Sequence, residues 1–387
     1  MFERQLLFSQ KSSMFLFGAR GTGKTHLLQQ RFQSIQSWYI DLLNPDTARR
    51  YLLRPSLLID ELAAKTVTPE WIIIDEVQKV PALLDVVHFL IERQNQKFVL
   101  SGSSARKLRR NAANLLAGRA FVYHLFPLTG AELGPSLHVQ EALTWGSLPR
   151  VYALEDATDK AEFLKAYANT YIKEEILEEQ LVRNLLPFHR FLPIAAQMDG
   201  KIVNYASLAR ESGTTIPTIQ NYFQILEDTL LGFMLPTFHE SIRKRQLGSP
   251  KFYFFDNGVK RALAGDLTVE LRPQTSQYGM AFEGWVINEI YRRQSYLRKE
   301  YRLSYLLTAS DVEIDLIVER PGQTRAVIVI KSTTQVTEYD VKNLRTLGKD
   351  IPNSSLYCFS QDPIPKKFGD ILCLPWQEGL TEIGLKE

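Results

Sequence analysis

Gly18-Ala-Arg-Gly-Thr-Gly-Lys-Thr25 is the stretch of sequence that decides the fold of the N-terminal part of this chain. It follows a short apolar run, residues 14–17, that predicts a buried strand, and it precedes a helical stretch that begins near Lys24. The pattern G-x-x-x-x-G-K-[ST] between a strand and a helix is typical of a phosphate-binding loop. Its glycines let backbone amides turn towards an anion, and the helix N-terminus adds positive potential. The sequence therefore predicts an ATP site.

The residues of this loop have distinct expected roles. Lys24 is expected to contact the β- and γ-phosphates of ATP, and the hydroxyl of Thr25 is expected to bind Mg²⁺. The other loop residues predicted to bind the nucleotide are Gly18, Gly21, Thr22 and Gly23.

A second motif, Trp71-Ile-Ile-Ile-Asp75-Glu76, follows about fifty residues later. Its apolar run predicts a fully buried strand of the kind that parallel sheets contain. Two carboxylates at the carboxyl end of such a strand lie where ligand sites of α/β proteins form. Asp75 is expected to hold Mg²⁺ through its water shell, and Glu76 to polarise the attacking water. The alternative is a pair of helix-capping acids.

Further strands are predicted at residues 97–101 and 121–125. The first ends at Ser101, a candidate sensor of the γ-phosphate, unless it marks only a strand-to-loop turn. Strands that alternate with helical stretches indicate a doubly wound parallel sheet in an α/β fold.

The size and composition of the chain are those of a globular protein with several domains. The chain has 387 residues, and its 46 basic and 43 acidic side chains nearly balance, so whole-chain charge does not indicate a nucleic-acid partner. Cys358 and Cys373 lack metal-ligand or redox spacing and are expected to be buried thiols. Because no signal peptide and no membrane-spanning run is predicted, the expected location is cytoplasmic.

Several stretches together resemble a group of prokaryotic AAA-type ATPases that carry a winged-helix segment and a C-terminal restriction-endonuclease-like domain of unknown function. The resemblance rests on the phosphate-binding loop and on residues 73–81, 100–104, 116–119, 125–129, 252–258 and 281–285. It implies the AAA strand order, with Asp75 and Ser101 on neighbouring strands. It also makes Arg119 a candidate phosphate contact, in cis or across a subunit contact, with a surface salt bridge as the alternative.

This organisation predicts an ATP-binding domain over residues 1–150, a helical and winged-helix region over 151–265, and an endonuclease-like domain over 266–387. In the middle region, residues 204–213 and 218–231 predict a helix–glycine turn–helix, with a wing strand near 250–256. The second helix lacks basic residues, so sequence-specific DNA reading is not expected. A basic cluster could contact DNA phosphates non-specifically through Arg243, Lys244, Arg245 and Lys251. The preferred alternative is a winged-helix fold that packs against neighbouring elements, with the basic cluster on a solvated loop.

The C-terminal region predicts a helix that carries Glu283, a strand that carries Glu313 and Asp315, and a next strand that ends at Lys331. Endonuclease-like domains of the resembled type place a metal-binding Glu two residues before this lysine, where the chain has Val329. A site that lacks one of about three carboxylates is expected to bind Mg²⁺ poorly. Glu313 could partly compensate and permit cleavage, but a non-catalytic docking role is the preferred interpretation. A different fold for this region is the remaining alternative.

The sequence as a whole predicts a Mg²⁺-dependent ATPase that drives or switches the interaction of an unidentified protein partner. A nucleotide-dependent scaffold with negligible turnover is the alternative, and a DNA-processing protein with a nuclease-like domain is a further one. A homo-oligomer is compatible with each of these functions, and the sequence does not specify the oligomeric state.

Overall fold

The computed structural model describes residues 2–33, 35–103, 116, 118–171, 185–240, 248–308 and 312–386. The chain divides into two compact units. The first unit comprises Met1–Pro127 together with Asp228–Leu231, and the second comprises Leu128–Glu227 together with Gly232–Glu387. The domain boundaries at residues 150 and 265 stay a prediction. In the described part of the chain, no helix combines the length and apolar character needed to cross a membrane.

The first unit contains a five-stranded parallel sheet in the order β2-β3-β4-β1-β5. Its strands are β1 (Ser13–Phe17), β2 (Ser37–Asp41), β3 (Trp71–Asp75), β4 (Lys97–Gly102) and β5 (Ala120–His124). The helices between them are Lys24–Phe32, Pro45–Leu53, Leu57–Ala63 and Leu83–Gln94. This AAA-like arrangement confirms the predicted parallel α/β sheet, and four of the five strands were predicted from the sequence.

The register of this sheet brings the carboxyl ends of its strands to one edge. Ile74 pairs with Leu100, so the next residues, Asp75 and Ser101, follow on neighbouring strands. Asp41 of β2 pairs with Asp75 on the other side. Because parallel strands end together, the polar residues that follow each apolar run are collected beside the loop after β1.

The helical part of the second unit is built from short helices and one hairpin. Its helices are Gly130–Leu133, Val139–Trp145, Pro149–Tyr152, Ala157–Ala166, Leu185–Gln197, Tyr205–Ser212, Ile216–Asp228 and Asn257–Ala264, with a π-helical turn at Tyr167–Tyr171. Gly213, at φ +69°, ends the helix Tyr205–Ser212 in the left-handed conformation that glycine favours. Strands β6 (Gly232–Leu235) and β7 (Lys251–Phe254) pair antiparallel. The predicted helix–glycine turn–helix and the strand near 250–256 are therefore present as elements.

The C-terminal part of the second unit contains a mixed six-stranded sheet in the order β12-β13-β11-β10-β9-β8. Its strands are β8 (Arg302–Leu307), β9 (Glu313–Glu319), β10 (Arg325–Lys331), β11 (Ser354–Ser360), β12 (Lys366–Phe368) and β13 (Ile371–Pro375). The helices are Ser276–Tyr296, Lys342–Leu347 and Trp376–Glu382. Apolar residues of β9, β10, β11 and β13 contribute to one buried cluster, which includes Ile314, Val327, Val329 and both cysteines.

Candidate functional site

The loop after β1 has the backbone that an anion-binding loop requires. Gly21 and Gly23 have φ angles of +80° and +92°, a left-handed conformation in which a side chain would be strained. Gly18 is needed for a different reason, since a Cβ atom there would lie 2.4 Å from the carbonyl oxygen of Leu125. The helix Lys24–Phe32 begins directly after Gly23, so its N-terminal amides face the loop.

The Lys24 side chain folds back over this loop. Its Nζ donates to the carbonyl oxygen of Gly18 at 2.8 Å and lies 3.9 Å from Oε1 of Glu76. The residue is only 5 % exposed. A buried ammonium held by a loop carbonyl and a carboxylate has the position and charge to contact phosphate oxygens.

Asp75 is the centre of a hydrogen-bonded cluster. Thr25 Oγ1 donates to Asp75 Oδ2 at 2.7 Å, and Tyr39 OH donates to the same oxygen. Ser101 Oγ donates to the other oxygen, Oδ1. A hydroxyl and a carboxylate in contact are hard oxygen ligands of the kind that Mg²⁺ prefers, so Thr25 and Asp75 fit the predicted metal.

Glu76 lies beside this cluster in an unusual backbone conformation. Its φ of +60° is left-handed, which is uncommon for a residue with a side chain. The Glu76 N–H donates to Ser101 Oγ at 3.2 Å, and the Glu76 carboxylate accepts from Gln78 Nε2. Ser101 thus joins Asp75 and Glu76, a role that was not predicted for it. Its predicted contact to a γ-phosphate stays a prediction.

Tyr39 is a site residue that sequence reasoning missed. It lies on β2, which was not predicted because residues 37–41 mix polar and aromatic side chains. Burial, and then the hydrogen bond to Asp75, raise the pKa of Tyr39 far above its usual range, so the phenol stays a protonated donor. One signal could have indicated a strand here: the stretch ends in a polar residue, Asp41, as the predicted strands do.

We expect Tyr39→Phe to lower ATP turnover by roughly tenfold, because Asp75 loses one donor and its carboxylate is held less firmly. The measurement is the steady-state rate of phosphate release at saturating ATP. Tyr51→Phe is the matched control, since Tyr51 OH donates to Glu61 in the same unit. Equal rates for the two variants would show that Tyr39 does not position Asp75.

Arg119 takes part in an ion pair in this structure. Its Nε donates to Glu92 of the helix Leu83–Gln94, and both side chains are partly exposed, at 39 % and 45 %. This geometry is the surface salt bridge that the sequence left open as the alternative. A contact of Arg119 with phosphate stays a prediction.

The predicted residues of the nuclease-like site come together in the second unit. Carboxylate oxygens of Glu283, Glu313 and Asp315 all lie within 4.8 Å of one another. Lys331 is close enough to Asp315 for its positive charge to oppose, in part, the effect of burial, which raises the pKa of that carboxyl. Val329 is only 4 % exposed and lies in the apolar cluster, so it supplies no ligand.

Burial dominates the electrostatics of Asp315. Burial raises the pKa of Asp315 to about 7, and the negative charge of Glu283 acts in the same direction. Tyr253 OH donates to Glu283 Oε1 at 2.8 Å. The neighbouring Asp199 also has a pKa raised to about 6 by burial. Asp199 and Tyr253 were not predicted as site residues. Tyr253 lies in the stretch 252–258 that carries part of the family resemblance, but this stretch was interpreted only as a wing strand.

Lys251 requires a correction. It was predicted as part of a solvent-facing basic cluster, but it is 3 % exposed, and its ammonium forms ion pairs with Glu283 and Glu313. Burial alone would lower the pKa of Lys251, but these carboxylates outweigh burial and raise it. A side chain held in this way does not present its charge to DNA. The other members, Arg243, Lys244 and Arg245, lie outside the described residues, and their contact with DNA stays a prediction.

Comparison with known proteins assigns the N-terminal part. Residues 10–134 match the family model described as an AAA domain. The AAA domain therefore contains both the glycine loop and the Asp75 cluster. Residues 136–270 and 278–378 match two models described as Domain of unknown function (DUF8612) and Domain of unknown function (DUF4143).

The curated relatives are similar over most of their length. An uncharacterized protein of Mycobacterium tuberculosis is 28% identical over 326 residues, which are 83% of this chain and 70% of the relative. An uncharacterized protein of Haemophilus influenzae is 23% identical over 301 residues, or 71% of this chain and 73% of the relative. Among solved structures, domain III of the Thermotoga maritima replication initiation protein DnaA matches with 14% identity and a TM-score of 0.23, over 57% of this chain and 85% of that one.

Proposed function

We propose that this protein is a Mg²⁺-dependent ATPase whose hydrolysis of ATP to ADP and phosphate drives or switches the interaction of a partner protein. The observation that carries the proposal is the contact of Thr25 with Asp75, 2.7 Å long, beside a buried Lys24. A phosphate-binding lysine and a pair of hard oxygen ligands at one sheet edge are what binding of Mg-ATP needs.

The residues of this site have separable tasks. Lys24 would exchange the Gly18 carbonyl for phosphate oxygens, and the amides of the glycine loop would orient the phosphates. Thr25 and Asp75 would hold Mg²⁺, and this ion would neutralise negative charge on the phosphate oxygens. Glu76 would accept a proton from the attacking water, with its backbone fixed by Ser101.

A nucleotide-dependent scaffold with negligible turnover is the second candidate. Glu76 favours hydrolysis, because a carboxylate next to the metal-binding aspartate can act as a base. The 3.9 Å approach of Lys24 to Glu76 shows that this carboxylate faces the phosphate-binding loop. A scaffold needs no base at that position.

The test is phosphate release by the purified full chain with and without Mg²⁺, and with and without DNA. Turnover that requires Mg²⁺ and disappears in Glu76→Gln supports the proposal. Tight ATP binding without turnover above the Glu76→Gln background would favour the scaffold. Stimulation by DNA would support the further alternative of a DNA-processing protein.

For the second unit we propose a winged-helix segment and an endonuclease-like domain that serves in docking and not in cleavage. The helices Tyr205–Ser212 and Ile216–Asp228 followed by the β6–β7 hairpin support the first assignment. The juxtaposition of Glu283, Asp315 and Lys331 supports the second. Non-specific DNA contact through Arg243, Lys244 and Arg245 remains compatible with this proposal.

We expect no cleavage of DNA or RNA by the wild-type protein in Mg²⁺ or Mn²⁺, because Val329 stands where a carboxylate ligand is expected. The measurement is incubation of supercoiled plasmid and end-labelled RNA with each metal. Metal-dependent cleavage that disappears in Asp315→Ala would contradict the prediction. Glu313 would then be the replacement ligand.

A further inference from the structure

The ammonium group of Lys251 is enclosed by the carboxylate cluster of the second unit. Nζ lies 3.4 Å from Glu283 Oε1 and donates to Glu313 Oε1, and the Lys251 side chain is only 4 % exposed. The Tyr305 ring covers another side, with its centroid 5.4 Å from Nζ. Carboxylates together with an aromatic face form a pocket that selects a positive charge.

The backbone of Lys251 is paired on both sides. Lys251 begins β7 and pairs with Leu235 of β6. It also forms a backbone bridge with Ile202, and the carbonyl oxygen of the preceding Pro250 accepts from Val203 N–H at 2.8 Å. A strand residue that is paired on both sides has a fixed backbone, so the Lys251 side chain starts from a fixed position beside the pocket.

The three carboxylates that could share a metal ion already have donors from the protein. Glu283 accepts from Tyr253 OH at 2.8 Å, and Asp315 Oδ2 accepts from the Ile330 N–H at 2.6 Å. Glu313 accepts from Lys251. Lys331 adds a second positive charge that acts on Asp315. The negative charge of the cluster is therefore largely offset without any added ion.

We infer that the Lys251 ammonium is the resident cation of the Glu283–Glu313–Asp315 cluster and occupies the position that a divalent metal ion would otherwise take. A metal ion that bridged Glu283 and Glu313 would have to lie where Nζ now lies, or beside it against strong repulsion between like charges. The site is consequently closed to divalent ions by a side chain of the chain itself. This closure is independent of the missing carboxylate at Val329, which is on a different strand.

The experiment converts Lys251 into an uncharged residue of similar length, Lys251→Met, in the full chain without nucleotide. Binding of Mn²⁺ is measured by the decrease in the electron paramagnetic resonance signal of unbound Mn²⁺. We expect Lys251→Met to gain one saturable site at least roughly tenfold tighter than any wild-type site, because the carboxylates lose their cation. Lys160→Met is the matched control, since Lys160 is a buried lysine that pairs with Glu141 in the same unit. It should gain no site.

A second variant locates the gained site. Asp315→Asn added to Lys251→Met should remove the new Mn²⁺ site and return binding to the wild-type level. If Lys251→Met is unstable, Mn²⁺ should raise its melting temperature and leave those of the wild type and the double variant unchanged. Two results would overturn the inference: saturable Mn²⁺ binding to the wild type that Asp315→Asn abolishes, or Lys251→Met showing neither Mn²⁺ binding nor stabilisation by Mn²⁺.

Discussion

Lys24→Ala is expected to weaken ATP binding by about 100-fold or more, because the main charged contact to the phosphates is lost. The glycine loop keeps its shape, since Gly18, Gly21 and Gly23 are unchanged. The expected result is loss of detectable binding of ATP at concentrations that saturate the wild type. The measurement is isothermal titration calorimetry in Mg²⁺.

The control for this variant is Lys97→Ala. Lys97 lies at the amino end of β4, whereas the glycine loop lies at the carboxyl ends of the parallel strands. Its side chain forms an ion pair with Glu70. Lys97→Ala should bind ATP like the wild type. Because Lys24 is itself buried, a thermal melt must show that Lys24→Ala is folded. ATP affinity at the wild-type level in folded Lys24→Ala would remove Lys24 from the site.

Glu76→Gln is expected to lower ATP turnover by about 100-fold or more while ATP still binds. The amide has the shape of the carboxylate but cannot accept a proton from water. ATP affinity should stay equal or rise slightly, since Lys24 loses a competing negative partner 3.9 Å away. Turnover and the dissociation constant are measured on the same preparation.

Glu70→Gln serves as the matched control, because Glu70 directly precedes β3 as Glu76 directly follows it. In the described structure, the Glu70 side chain forms an ion pair with Lys97. The turnover of Glu70→Gln should equal that of the wild type. If Glu76→Gln also hydrolyses ATP at the wild-type rate, Glu76 is not the residue that activates water. Hydrolysis would then need a different base.

Local sequence patterns were sufficient for most of the AAA domain. The strand Trp71–Asp75 is a run of apolar residues that ends at Asp75, with Glu76 directly after it, so its sequence pattern, its burial and its place at the sheet edge agree. Strand Ser37–Asp41 was missed because three of its residues are only half-buried, and its pattern is neither alternating nor continuously apolar. The contribution of Tyr39 could not be found until the pairing of β2 with β3 was known.

The second unit shows where local patterns fail. In sequence, Lys251 was grouped by charge with Arg243 and Lys244, although it alone of the three lies in the predicted strand near 250–256. Its environment is decided by Glu283 and Glu313, which lie 32 and 62 residues further along the chain. Burial and pairing over such separations follow from tertiary packing, whereas charge patterning reports only on neighbours in sequence.

The first unit is completed by a segment that arrives late in the chain. Asp228–Leu231 belongs to it, although the preceding and following residues belong to the second unit, and Leu230 packs against the apolar core of the first. A chimera or recombination event that joined at residue 127 would therefore lose the packing of Leu230 against this core. The AAA match does not include this segment, since it spans only residues 10–134.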